Sequence, residues 1–252
     1  MRRRSAILLA IGLGAAGWLA FDAGSSAACA TDFTVATVEG DPLRQTGFAI
    51  IQEAYRRIGV AARSVYLPNE RGLRAAALGE VDADTMRVAG TEQRYTDLVP
   101  VPEMLLTFDG LVFTTGLTFK VDGWDSLRPY SICVLRGFKV AEQATQGMQV
   151  TFGESTAGVI QMLHAGRCQV TVLDAPVWLE IDRLKAGPML TLTPPVVSLP
   201  LYHYVHRSHA DLAPKLAAAL RDMRADGTTE RLLAADEAPI EAARRRNLAV
   251  GY

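Results

Sequence analysis

Arg87 and Arg94 stand just beyond one short apolar stretch of the chain, and Asp174 stands at the end of another. An arginine presents a planar, permanently charged fork that grips a carboxylate at two points. An aspartate offers the counterpart for an amine. The local contexts of the two sites match. Residues 74–78 have a helical pattern, Gly79 follows as a left-handed cap, and residues 81–85 have a strand pattern. Residues 159–165, Gly166 and residues 169–173 repeat that order. In open α/β sheets ligands bind beyond the carboxyl ends of strands. The two units therefore read as two lobes, each aiming a polar residue at a shared cleft. Cations on one wall and an anion on the other suit a small zwitterionic or multiply charged ligand.

Each of these residues also has a plainer reading. Arg94 can be an exposed loop arginine, the usual fate of the residue type. Arg87 can pair with Asp84. Asp174 can cap the helix that begins near Pro176, where proline suits the first turn. Arg136, Gly137 and Phe138 follow a third strand, residues 131–135. Arg87, Arg94 and Arg136 together predict a ligand with at least one carboxylate, and the extra cation favours more than one acidic group. His203, His206 and His209 are three apart, which aligns side chains only on a helix, yet Tyr202, Tyr204 and Val205 make the stretch a strand. No metal site is expected. No nucleophile elbow, zinc-protease signature or phosphate loop occurs, and no cofactor is expected. Glu39, Asp41, Glu154 and Asp174 are the carboxylates that an enzymatic reading would have to pair.

The chain resembles the bacterial extracellular solute-binding proteins of the polar amino acid type, family 3. In that family a Gly-x-x-Asp unit is followed, twelve residues after its Asp, by a carboxylate-gripping Arg; Gly79, Asp82 and Arg94 keep the spacing. The second lobe has an Asp eight residues after a Gly, and a Pro two further on; Gly166, Asp174 and Pro176 match. The resemblance covers residues 33–233. It implies an α/β, two-lobed periplasmic-binding-protein fold of type II, each lobe a mostly parallel sheet flanked by helices. It implies Arg94 on the ligand carboxylate, Asp174 on the amine, and backbone N–H groups near Gly137 helping the carboxylate. Departures are visible. Arg87 stands where the family has Gly, Ala89 where it has a hydroxyl, and Phe138 where it has Thr. The aromatic platform of the first lobe is missing, leaving Glu39, Asp41 and Tyr66 for that wall. The expected role is capture of a small polar ligand, an amino acid or other carboxylate, for a membrane transporter permease. The rivals are a ligand sensor for a signalling partner and an enzyme of the dehydratase or lyase kind. Non-enzymatic binding by a monomer is the reading adopted.

The N-terminus reads as an export signal: Arg2, Arg3 and Arg4, an apolar run over residues 7–19, and Ala28-Cys29-Ala30 as the cleavage pattern. Cleavage after Ala30 gives a periplasmic protein; lipidation at Cys29 is the second reading. Removing residues 1–30 takes away three arginines and one aspartate, moving the net charge from −1 to −3. Without a basic stripe, nucleic acid is excluded as a partner. Cys133 and Cys168 remain, and two readings stay open: a disulfide, or two buried thiols. Lobe one is expected over residues 31–106 and 200–252, lobe two over 107–199, with two separate sheets. Asn69 is expected to cap its helix, and the charged tail from Glu237 to be loosely held.

Overall fold

The structure, a computed structural model, describes residues 33–249. The export signal, Cys29 included, lies outside the described residues. The first strand and helix are β1 (Phe33–Thr37) and α1 (Pro42–Arg57). Asp41 caps α1 by accepting from the Arg44 N–H at 3.1 Å, with Pro42 in the first turn. β2 (Ala62–Tyr66), α2 (Asn69–Ala77) and β3 (Ala83–Val88) follow. β2 and β3 lie parallel to β1 on either side. A four-residue helix, α3 (Thr91–Arg94), leads into β4 (Leu98–Thr114).

The second half repeats the plan. β5 (Ile132–Leu135), α4 (Lys139–Ala144), β6 (Val150–Gly153), α5 (Thr156–His164), β7 (Val170–Leu173) and α6 (Val177–Leu184) follow in order. β6 and β7 lie parallel to β5 on either side. The chain returns through β8 (Leu190–His206) and ends with α7 (Leu212–Ala225) and α8 (Thr228–Asn247).

The strand order is β2-β1-β3-β8-β4-β7-β5-β6. The hydrogen-bonded series is unbroken, where two separate sheets were expected. The reason is length. β4 and β8 have 17 residues each, roughly 55 Å if fully extended, so each serves both halves. They pair antiparallel with one another and carry irregularities in register. The cores stay separate. Val35, Ile50, Tyr55 and Leu216 belong to one cluster, while Phe113, Leu163, Trp178 and Ile181 belong to another.

Cys133 and Cys168 are joined in a disulfide, Cα–Cα 5.5 Å, which resolves the two readings left open. The tail is not loosely held. α8 runs to Asn247, and its Ile240 and Ala243 pack into the second-half cluster, although this segment was expected to belong with the first lobe. His203 is fully buried between the Tyr55 hydroxyl at 2.8 Å and the Thr85 carbonyl at 3.1 Å, and burial pushes its imidazole down to about 4. His206 meets Ser208 and His209 meets Asp82, so the histidines serve different partners.

Candidate functional site

A cavity of about 530 Å³ opens where the carboxyl ends of the strands of both halves face each other. Asp41, Arg44, Asn69, Arg87 and Arg94 come to it from the first half; Gly137, Phe138 and Asp174 come from the second; Phe108 comes from β4. Of the residues singled out in the sequence, Arg87, Arg94, Asp174, Gly137 and Phe138 line this one space. Arg136 does not. It pairs with Glu154 at 2.6 Å and lies over the Phe152 ring, because its side chain leaves the strand end on the outer face.

Arg87 reaches the cavity already occupied. It donates to both oxygens of Asp84, at 3.0 and 2.5 Å, and to the side-chain and main-chain oxygens of Asn69 at 2.5 and 2.8 Å. Residues three apart on a regular strand point to opposite faces. Here the pairing with β8 runs from Asp84–Tyr204 to Arg87–Tyr202, so β3 has one residue more than its partner. That bulge brings the two side chains together. Arg44 joins them, at 3.4 Å from Asp84 and 2.9 Å from the Asn69 side chain. Burial opposes the charge on Asp84, yet Arg87 and Arg44 hold its carboxyl below the usual range. Asn69 therefore ties the arginines to α2 instead of capping it; Pro68 occupies the cap position. Arg44 and Asn69 were missed as site residues, since nothing in their local pattern separates them from surface polar positions.

Arg94 differs. It is exposed, its guanidinium lies 5.7 Å from the Tyr95 ring centre, and it has no ion pair among the described residues. Asp174 is its counterpart in the second half, half-buried, with no cation partner among the described residues. Burial first, and the Asp41 carboxylate second, push its carboxyl up to about 7. Asp41 itself stands 3.7 Å from Arg44. The cavity thus holds a network that satisfies itself, Arg44–Asp84–Arg87, and two charges of opposite sign left over.

No family model matches the chain. An uncharacterized protein of Shewanella oneidensis is 23% identical over 194 residues, 72% of each chain. The GluR0 ligand-binding core in complex with L-glutamate is similar in structure with a TM-score of 0.70 at 12% identity, covering 81% of this chain and 97% of that one. A histidine kinase sensor domain with similarity to periplasmic binding proteins gives 0.68 at 16% identity, over 81% and 95% of the chains. An ancestral arginine-binding protein bound to glutamine gives 0.66 at 15% identity, over 80% and 96%. The chain has the type II periplasmic-binding-protein fold.

Within that fold the departures seen in the sequence have structural consequences. The backbone donors expected near Gly137 are used internally. The Gly137 N–H donates to Glu142 at 2.7 Å, that of Phe138 to the Leu135 carbonyl, and that of Lys139 to the Gly137 carbonyl. Gly137 permits this turn through a φ of 91°. Phe138 then points an aromatic edge at Phe108, ring centres 5.0 Å apart. Phe108 is not among the residues singled out in the sequence; its role depends on which face of β4 meets the cleft, and register irregularities hide that from the pattern. Of the residues left for the first-lobe wall, Asp41 lines the cavity, while Tyr66 is 56% exposed and, like Glu39, is not part of the lining.

Proposed function

We propose that this protein is an extracytoplasmic solute-binding protein that captures a small zwitterion, of the α-amino acid class, between two lobes joined by β4 and β8. The observation that carries this is that Arg94 and Asp174, at the strand ends of opposite halves of one cavity, have no ion pair among the described residues. An arginine fork binds a carboxylate with charge-assisted hydrogen bonds of roughly 1.5–3 kcal/mol each. An ammonium beside Asp174 restores the ionised form that burial disfavours. The sequence expectation of a doubly acidic ligand has less support, because Arg87 already pairs with Asp84, which it shares with Arg44. In this reading the captured solute passes to a membrane transporter, and the chain is periplasmic with Thr31 as the first residue after cleavage. Among the described residues no helix is long and apolar enough to cross a membrane.

The test is calorimetry with a panel of amino acids and of carboxylic acids lacking the amine. Tight binding of an amino acid, lost ten- to a hundredfold in Arg94→Ala, supports the reading; about 1.4 kcal/mol corresponds to each factor of ten. Equal binding by Arg94→Ala and by the parent sinks it. One observation favours an enzyme instead: a carboxyl near 7 in a cavity matches what general acid–base chemistry needs. Analysis of every titration mixture for product, with Asp174→Asn as control, separates the two. Delivery to a sensor in place of a transporter is distinguished by which membrane partner the liganded protein captures.

A further inference from the structure

The ligand's side chain is fixed by what the rest of the cavity offers. Once Arg94 and Asp174 have met a carboxylate and an amine, the other charged residues of the lining are already in ion pairs. Lys139 meets Glu142 at 3.0 Å, Glu70 meets Arg74 at 3.5 Å, and Glu180 meets Arg183 at 2.6 Å. Arg44 and Arg87 share Asp84, with Asp41 beside Arg44. Arg44 and Asp84 are buried and Arg87 is half-buried, and exchanging one satisfied buried ion pair for another gives little net gain. The pairs of Lys139, Glu70 and Glu180 have solvent-exposed members, where a further ion pair adds little.

The apolar part of the lining sets no ion pair against a ligand. Phe108 and Phe138 are both half-buried and stand edge to face at 5.0 Å. Phe108 is anchored on the first-half cluster and Phe138 on a second-half cluster, so their contact bridges the two halves. Leu135, Val140 and Leu199 continue the surface. Covering such surface removes apolar area from water at roughly 25 cal/mol per Å², and an aromatic edge adds geometry-dependent attraction. We propose that the ligand is an α-amino acid with a large apolar side chain, seated against Phe108 and Phe138. The proposal rests on the zwitterion reading and names its side-chain class.

Calorimetry on the purified protein with L-leucine, L-phenylalanine, L-alanine, L-arginine and L-glutamate tests it. Leucine or phenylalanine is expected to bind about ten- to a hundredfold more tightly than alanine, the discrimination an apolar pocket gives, and more tightly than arginine or glutamate. Phe138→Ala should weaken leucine and phenylalanine more than alanine, so that their advantage over alanine falls away. Phe138→Leu, which keeps the surface apolar, should retain most of it. A variant harmed merely in folding would lose all ligands alike. If arginine or glutamate binds best, or if Phe138→Ala weakens alanine and leucine equally, the inference is overturned while the zwitterion reading stands. If no α-amino acid binds, both fall.

Discussion

At the scale of single residues, the two cavity arginines should answer substitution in opposite ways. Arg94 is exposed and has no ion pair among the described residues, so Arg94→Ala should leave thermal stability unchanged and affect only binding. Arg87 holds the fully buried Asp84. Its removal leaves that carboxylate with Arg44 at 3.4 Å and the Met86 N–H at 3.2 Å, and breaking a buried pair costs about 3–5 kcal/mol. Arg87→Ala should therefore unfold at lower denaturant than Arg94→Ala, and the two urea midpoints check this. Asp174 is predicted to act through pH. Its carboxyl, pushed from 3.8 to about 7 by burial and by Asp41, stays protonated in the folded protein where the unfolded chain has lost the proton. Folding thus takes up a proton between those values, and the group's contribution to stability is lost as pH rises from about 4 to about 7. Asp174→Asn should be more stable than the parent at pH 8 and equal to it near pH 4 in thermal melts. An amine ligand favours the ionised form, so its affinity should rise over the same interval. Calorimetry in buffers of different ionisation heat should show a proton released on binding near pH 6.

At the scale of elements, the strand ends were legible because glycine caps and short apolar runs report them directly. The chemistry at those ends was legible only in part. The family resemblance pointed to Arg94 and Asp174, and both line the cavity. The engagement of Arg87 was not, because it depends on a one-residue bulge in β3 that no periodicity announces. The burial of Arg44 was not legible either, because its partners Asp84 and Asn69 come to it from β3 and α2. α8 was the largest misreading. It contains Pro239 and is rich in charge, which reads as a loose tail. What fixes it is tertiary: Asp236 meets the Thr46 hydroxyl at 2.5 Å on α1, and Asp182 on α6 accepts from Arg246 at 3.0 and 2.7 Å and from Asn247 at 2.8 Å. The main chain of Met189 bonds with that of Asn247 and Ala249 as well, both at 2.8 Å. Asp182→Ala removes the α6 anchor. Native-state trypsin digestion should then cut among Arg244, Arg245 and Arg246 in the variant and leave the parent intact there, as read by mass spectrometry.

At the scale of the whole molecule, two separate cores are joined by β4 and β8, and the cavity lies between them. We expect a bend of the paired strands to open or close the cavity. Phe108 and Phe138 touch across it, and Arg94 and Asp174 face it from opposite halves with no ion pair among the described residues. A zwitterion touching Arg94 on one side and Asp174 on the other should draw the halves together. Binding to the folded form alone also raises stability by mass action, about 2.7 kcal/mol at a ligand concentration of 100 times Kd. We therefore expect the tightest-binding amino acid to lower the radius of gyration in X-ray scattering and to raise the melting temperature together. In Arg94→Ala at the same ligand concentration both changes should vanish. In Phe138→Leu both should persist. A rise in melting temperature with no compaction would mean that the ligand sits on one half alone, and the two-sided grip assigned to Arg94 and Asp174 would be wrong.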